Sequence, residues 1–308
     1  MKKAFKYLLN YLGLAFLGSL LFGLPAALIW ALVSNLERGD SMIDNPWFMS
    51  VILVGSQLVP LYFFRKYKWG DFSSFKIPKL WRMLLWITLG WVGIVLVEMF
   101  VQTYTPIAEW DIETLQELAG MAKNPLGFIS CCILAPIVEE GVFRGAIERR
   151  LLERDWNPWW AIVISALIFA GIHMNLSQGV GAFLMGLLFG WIYYRTRNIW
   201  LCVFGHALNN TYSSVMNLIF DNNFDTNGLT SQESASLLVF VPIMLVGVFL
   251  MILSCYLVSR QQSENEKLMP ATIVSNSEPA DVVNVPPIPL QDMSRVSQDG
   301  DEGHQDTE

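Results

Sequence analysis

The chain has 308 residues, of which 53% are hydrophobic and only 15% are charged. Soluble proteins carry about 25% charged residues, so this composition excludes a soluble globular protein and predicts a polytopic membrane protein. The formal net charge of −7 comes entirely from residues 260–308, which hold 3 basic and 10 acidic residues. Because the other charges cancel, the sequence does not predict nucleic-acid binding.

Eight apolar segments follow one another and predict an all-α fold, a membrane helical bundle of about eight transmembrane helices. They cover residues 8–33, 48–64, 83–104, 126–143, 159–173, 178–194, 199–220 and 235–258. The first segment is too long for a cleavable signal peptide, whose apolar part has about 7–15 residues. We expect the fourth helix to continue past Arg144 and the fifth past His173, since both segments are shorter than the ~20 residues of a simple span.

The loops between these segments alternate in charge. Loops 65–82, 144–155 and 195–197 are basic. The alternate loops are acidic and hold Glu37 and Asp40, then Glu109, Asp111, Glu113 and Glu117, then Asp221, Asp225 and Glu233. The positive-inside rule then places both termini in the cytosol of a multi-pass plasma-membrane protein. The short loops favour a bacterial protein, and residues 105–125 predict an amphipathic helix on the exterior side.

The predicted organisation has three parts. Residues 1–82 form two transmembrane helices and a basic cytosolic loop, and residues 83–258 form the membrane core that carries the site. Residues 259–308 form an acidic cytosolic tail. The tail has no apolar period and is rich in polar residues, which is typical of disorder.

Four ionisable residues lie within apolar segments, where an unpaired charge costs about 2.5–3.5 kcal/mol. They are Glu139, Glu140, His173 and His206. Their presence predicts a polar site within the membrane. Helix rise puts Glu139 about 7 Å and His173 about 20 Å from the cytosolic ends of their segments. A shared site therefore requires helix tilt or a wrong boundary at Trp159.

The spacing of Glu140 and Arg144 puts them on one helix face, where they can form an ion pair. Glu139 points about 100° away around the helix, which leaves it free to act as a general base. The alternative is that all three belong only to the cytosolic interface. Two sets of small residues recur at four-residue spacing: Gly141 and Gly145, and Ala182, Gly186 and Gly190. This spacing predicts that another helix approaches closely, and the alternative is generic helix packing.

His206 and Asn210 share one face of the seventh helix, so both can donate hydrogen bonds to one developing oxyanion. The alternative is a polar clamp between helices. His173 taken alone is more typical of a hydrogen-bonded packing histidine. Together with Glu139, these residues suffice to hydrolyse an amide bond with activated water.

Three motifs, in this order and in this eight-helix setting, resemble the CPBP family. EEGVFR (139–144) fits EExxxR, FAGIH (169–173) fits FxxxH, and HALNN (206–210) fits HxxxN. The family includes Rce1-type CAAX prenyl endopeptidases and the bacterial Abi, or bacteriocin self-immunity, proteins. The resemblance covers about residues 83–220. It implies that Glu139 and His173 activate water, that His206 and Asn210 form the oxyanion site, and that Glu140 and Arg144 support them.

The sequence leaves metal dependence open. Members of this family are often described as metalloproteases, and Glu139, His173 and His206 match a His₂Glu zinc set. HExxH is absent, however, and zinc ligation by His206 would forfeit its pairing with Asn210. We favour water activated by glutamate without a metal, with zinc as the alternative.

The expected function is that of an intramembrane endopeptidase in the lipid bilayer. Its expected substrate is a membrane-anchored peptide or protein, lipidated or of CAAX type. One alternative is a non-catalytic immunity or scaffold protein that binds peptides in the same cavity. Another is a transporter with Glu98 and Gln57 on a polar path, although the sequence shows no inverted repeats.

Overall fold

The fold is taken from a computed structural model that describes residues 1–34, 42, 45–72, 77–104, 120–154, 156–174, 176–220 and 237–268. The structure within these ranges is helical, and eight long helices coincide with the eight apolar segments. They are α1 (Lys2–Ser34), α2 (Pro46–Lys66), α3 (Leu80–Tyr104), α4 (Pro125–Leu152), α5 (Pro158–Gly171), α6 (Leu176–Thr196), α7 (Ile199–Phe220) and α8 (Leu237–Leu268). Among them, α1 to α4 and α8 are long and apolar enough to cross a membrane. The chain is a polytopic membrane helical bundle, as predicted.

The end of one helix differs from the prediction. α4 continues past Arg144, as expected, but α5 ends at Gly171, so its predicted extension past His173 is wrong. A turn follows α5, in which the N–H of His173 donates to the carbonyl of Ala170 at 3.2 Å. Met174 then takes a positive φ of 50°, which a continuing α-helix does not allow.

The last helix also extends further than the sequence indicates. α8 includes residues 259–268, the first part of the predicted tail. Gln261 and Asn265 are buried there and joined side chain to side chain at 3.1 Å, so a polar composition is compatible with packed helix. The rest of the predicted tail (269–308) and most of the predicted amphipathic helix (105–119) lie outside the described residues.

Three helices begin at an Asn–Pro pair. The side chain of Asn45 accepts hydrogen bonds from the first backbone N–H groups of α2, and Asn124 and Asn157 do the same for α4 and α5. Proline at the first helical position lacks the N–H that has no helical partner there. The Asn124–Pro125 pair thereby sets where α4 begins, and so where its glutamates lie along it.

Glycine pairs bring neighbouring helices into close contact. A Cβ on Gly93 of α3 would lie 2.6 Å from the carbonyl oxygen of Gly247 on α8, and the reverse distance is 2.7 Å. Gly18 of α1 and Gly55 of α2 approach one another in the same way. Small residues allow this approach where side-chain packing drives helix association within lipid.

α4 lies at the centre of the bundle and packs against helices α1, α2, α5, α6 and α7. Residues 140–148 are all buried, so this part of the helix is enclosed on every side. Two π-helical stretches, Ser130–Leu134 and Phe143–Glu148, flank the glutamates. Such stretches are frequent at functional sites because they redirect side chains and free backbone groups.

Candidate functional site

The centre of the site is a buried chain of three charged or polar side chains. Arg144 Nη1 donates to Glu140 Oε1 at 3.0 Å, and His206 Nδ1 donates to the same oxygen at 2.9 Å. Glu140 and Arg144 are fully buried, and His206 is 3% exposed. The predicted i,i+4 pair is therefore present, and it also joins α4 to α7 through His206.

Glu139 lies on the opposite side of the same imidazole. Its Oε2 is 3.8 Å from His206 Nε2, and its side chain is 19% exposed, whereas that of Glu140 is inaccessible. Because Nδ1 is bound to Glu140, Nε2 is the ring atom directed toward Glu139. Of the two adjacent carboxylates, Glu139 is thus the one within reach of a small molecule from outside.

Phe169 connects both histidines to the buried ion pair. Its ring centroid lies 5.0 Å from that of His173 and 5.8 Å from that of His206, and the Arg144 guanidinium lies 4.8 Å from it. His173 Nδ1 donates to the carbonyl of Phe169 at 2.8 Å. A carbonyl only accepts, so His173 Nε2 is the atom free to accept a hydrogen bond.

The longer α4 removes the predicted difference in depth between Glu139 and His173. Measured to Leu152, Glu139 lies about 20 Å from the end of its helix, and His173 lies about 22 Å from Pro158. The extension of α4 therefore accounts for the gap, whereas the boundary at Trp159 is not wrong, since α5 begins at Pro158. His206 is only about 10 Å from the start of α7, but that start is itself below the surface, since Ile199 and Asn198 are buried.

Asn210 forms a hydrogen bond to the first π-helical stretch of α4. Its Nδ2 donates to the backbone carbonyl of Cys131 at 2.9 Å, which leaves the second N–H of the amide. The neighbouring Asn209 instead accepts from Trp91 of α3 at 3.2 Å. The two adjacent asparagines of HALNN therefore hold α7 against two different helices.

The glycines of α4 accommodate a connecting segment rather than the helix that the spacing predicts. A Cβ on Gly141 would lie 2.7 Å from the ring of Phe72, which follows α2. The N–H of Asp71 donates to the Gly145 carbonyl at 3.4 Å. On α6, Gly186 packs against Ala166 of α5, and its carbonyl accepts from Arg144 at 3.4 Å.

The first two helices contribute residues that the motifs do not include. The ring of Tyr11 on α1 packs edge-on against Phe143 at 6.0 Å, and its hydroxyl is close enough to interact electrostatically with Glu139. Gln57 on α2 accepts from Ser130 Oγ at 2.6 Å. An aromatic residue in an apolar segment gives no signal of such a role, so the sequence could not identify Tyr11.

The polar residues considered for a transport path make local contacts. Gln57 is bound to the start of α4, as just described, whereas Glu98 on α3 lies against Gly181 of α6. A third buried carboxylate, Glu148, follows Arg144 by one helical turn, and neither of its oxygens has a hydrogen-bond partner within the described structure. Glu148 lies in the segment predicted as a basic cytosolic loop, so the sequence did not indicate a buried carboxylate there.

Three side chains are candidates for a zinc site, and the structure brings two of them, Glu139 and His206, close together. Within the described residues, no three His, Cys, Asp or Glu side chains lie together as a group that could hold a metal ion. Glu139 and His206 are close, but His206 Nδ1 is bound to Glu140, and the Nδ1 of His173 is bound to Phe169. The Nε2 atom of each histidine is therefore left for a further interaction, and a metal-ligating histidine is held in the same way when its other nitrogen donates to a carboxylate or a carbonyl.

Comparison with known proteins points to the same part of the chain. Residues 122–212, which contain all three motifs, match the family model described as Type II CAAX prenyl endopeptidase Rce1-like. The Bacillus subtilis (strain 168) protein named "Putative membrane peptidase YdiL" is 37% identical over 94 residues, which are 30% of this chain and 38% of that protein. No solved structure gives a significant match. The resemblance to the CPBP family is confirmed, and residues 122–212 are the part of the chain that carries the similarity to Rce1-like proteins.

Proposed function

We propose that the protein is an intramembrane endopeptidase that hydrolyses a peptide bond of a membrane-anchored substrate with water activated by Glu139. The observation that carries this proposal is the unequal environment of two adjacent carboxylates. Glu140 is fully buried and neutralised by Arg144, whereas Glu139 is partly exposed and faces His206. The similarity to Rce1-like proteins and to a protein named as a membrane peptidase supports the same class of reaction.

The first chemical step is attack of water on the scissile carbonyl carbon. Glu139 takes one proton from the water while the new C–O bond forms, and the carbonyl oxygen becomes an oxyanion. His173 Nε2 is free to accept the other hydrogen of the water, because Nδ1 donates to Phe169. General-base assistance of this kind contributes about 10²–10⁴-fold to the rate.

The oxyanion is stabilised by donors on α7. In this proposal the protonated His206 donates from Nε2, and Asn210 donates its second amide N–H. Glu140 accepts from Nδ1 and so stabilises the imidazolium charge, and Arg144 donates to the same Glu140 oxygen. The C–N bond then breaks, and Glu139 returns its proton to the leaving amine.

The reaction as proposed uses no metal. Zinc would need Glu139, His173 and His206 as ligands, and these side chains do not form a ligand group. We infer the substrate class from the setting. A site enclosed by membrane helices admits a peptide that is itself anchored in the bilayer, and the Rce1-like match favours a lipidated, CAAX-type peptide.

The decisive experiment compares wild type, Glu139→Gln and Glu98→Gln in liposomes. Both variants replace an intramembrane carboxylate by its amide, but Glu98 contacts Gly181 of α6 and takes part in none of the site contacts described above. A mixture of membrane-anchored and prenylated peptides is incubated with each, and new termini are identified by mass spectrometry. We expect cleavage by wild type and Glu98→Gln, and a rate at least about 100-fold lower for Glu139→Gln.

Two outcomes would contradict the proposal. Cleavage by Glu139→Gln at the wild-type rate would exclude Glu139 as the base. Peptide binding that is equal in wild type and Glu139→Gln, with no cleavage by either, would favour a non-catalytic immunity or scaffold protein.

A further inference from the structure

A basic cavity lies where the start of α1 meets the end of α4. It has a volume of about 490 Å³ and is lined by seven residues: Met1, Lys2, Lys3, Ala4, Arg150, Glu153 and Arg154. Small-molecule sites in proteins span about 300–1,000 Å³, so the cavity is large enough for a polar headgroup. It is separate from the glutamate site, since Arg150 follows Glu140 by ten residues along α4.

The charges around the cavity leave an excess of positive charge. Arg150 forms a bidentate ion pair with Glu153 at 2.7 and 2.8 Å, so these two neutralise one another. Lys2, Lys3 and Arg154 have no carboxylate partner in the described part of the chain. A ligand with one or two net negative charges and several acceptor oxygens fits this arrangement, and a phosphodiester has both properties.

An apolar stripe on α1 extends from the cavity along the helix. Phe5, Leu9, Leu12 and Phe16 recur at spacings of three or four residues and are all exposed. Lys2 precedes Leu9 by seven residues and therefore lies on the same face. A ligand with its anionic group among the basic residues would lay its hydrocarbon along this stripe. That pairing distinguishes a phospholipid from a soluble phosphate.

We propose that this cavity binds the headgroup of an anionic phospholipid, with an acyl chain against the α1 stripe. Basic pockets between transmembrane helices at the cytosolic face are suited to such headgroups. The charged ends of α1 and α4 lie at the membrane face that the positive-inside rule assigns to the cytosol. A zwitterionic lipid fits less well, because its ammonium group meets lysines and an arginine that have no carboxylate partner within the described residues.

The test uses native mass spectrometry of the full chain in detergent. Phosphatidylglycerol and phosphatidylcholine with identical acyl chains are titrated separately, and we expect phosphatidylglycerol adducts at several-fold lower lipid concentration. Lys2→Gln/Arg154→Gln removes one charge from each wall of the cavity. It should weaken phosphatidylglycerol binding roughly 20-fold, since one basic residue near a membrane surface contributes about fivefold.

The matched control is Lys6→Gln/Lys68→Gln, which removes two exposed charges at the same end of the bundle but outside the cavity. It should bind phosphatidylglycerol as wild type does. Equal weakening in both double variants would show general surface attraction and overturn the proposal, as would equal binding of the two lipids. Glycerophosphoglycerol, which has no acyl chains, is titrated as well. If it binds as tightly as the lipid, the cavity is a site for a soluble phosphate and the proposal is overturned. Thermal unfolding of both variants serves to exclude misfolding.

Discussion

His206 stands between two carboxylates that differ in burial, and this difference separates their roles. Glu140 shares one oxygen between Arg144 and His206 inside the bundle, whereas Glu139 reaches the imidazole only to 3.8 Å and is partly exposed. A buried ion pair is costly to form but more costly to leave incomplete. The residue that holds the site together is therefore distinct from the one proposed to act on water.

The first prediction contrasts the adjacent glutamates. Glu140→Gln leaves Arg144 buried without its counter-charge and should lower the free energy of unfolding by about 3–5 kcal/mol. Glu139→Gln should change it by less than about 1 kcal/mol, because Glu139 is partly exposed and makes no close ion pair. Denaturant unfolding in detergent measures both. Equal loss of stability in the two variants would contradict this division.

The second prediction concerns the adjacent asparagines of α7. Asn210→Ala should lower kcat about 10²–10³-fold if its amide contacts the oxyanion. Asn209→Ala loses only the hydrogen bond from Trp91 and should retain kcat, with about 1 kcal/mol less stability. Steady-state kinetics on the cleaved peptide gives both values. A kcat for Asn210→Ala equal to that of Asn209→Ala would limit Asn210 to holding the Cys131 carbonyl.

At the scale of elements, α4 organises the site because other segments contact it from all sides. The Gly70–Phe72 segment covers Gly141 and Gly145, α6 presents the Gly186 carbonyl to Arg144, and α5 places Phe169 over the guanidinium. Trp200 of α7 donates to the Phe72 carbonyl at 3.1 Å and links that covering segment to the helix that carries His206. The positions of the catalytic candidates thus depend on several short contacts to one helix.

The third prediction tests the contact between α4 and the segment after α2. Gly141→Ala places a methyl group against the Phe72 ring and should cost about 1–3 kcal/mol of stability. Gly13→Ala on α1 is the matched control, because nothing lies within 4 Å of its Cβ position, and it should be neutral or slightly stabilising. Phe72→Leu combined with Gly141→Ala should recover part of the loss. Equal stability of the two glycine variants would argue against a close contact at Gly141.

At the scale of the whole molecule, the proposed catalytic site and the proposed lipid-binding cavity both belong to the membrane helical bundle. His206 and Glu140 are buried within the bundle, Glu139 and His173 are half-buried, and the basic cavity lies at the end where α1 begins. The plasma membrane, the cytosolic side of the termini and a bacterial source remain predictions from loop charge and length.

The fourth prediction concerns metal dependence of the intact protein. Purified active protein should contain less than stoichiometric zinc, and cleavage should persist after treatment with a strong chelator. The reason is that Glu139, His173 and His206 do not form a ligand group. Metal content is measured by mass spectrometry beside the activity assay. Stoichiometric zinc, with activity lost on chelation and restored by zinc, would reverse this conclusion.

The sequence by itself determined the membrane class, the helical bundle and the family resemblance. Apolar length specifies a membrane helix regardless of its neighbours, and the spacing of Glu140 and Arg144 specifies an ion pair within one helix. The Asn–Pro pairs also mark helix starts that can be recognised from the sequence. Local chemistry decides these features, so they can be recognised without a fold.

The tertiary structure alone decided how the motifs meet. The bonds from His206 to Glu140 and from Asn210 to the Cys131 carbonyl join residues that are 66 and 79 positions apart. The location of Tyr11 beside Glu139, and of Phe72 in place of a predicted helix, likewise depends on how helices pack. Periodicity shows which side of a helix a residue occupies, but not which segment covers that side. The end of α5 could not be predicted from apolar length for a related reason, because a local turn ends this helix at Gly171.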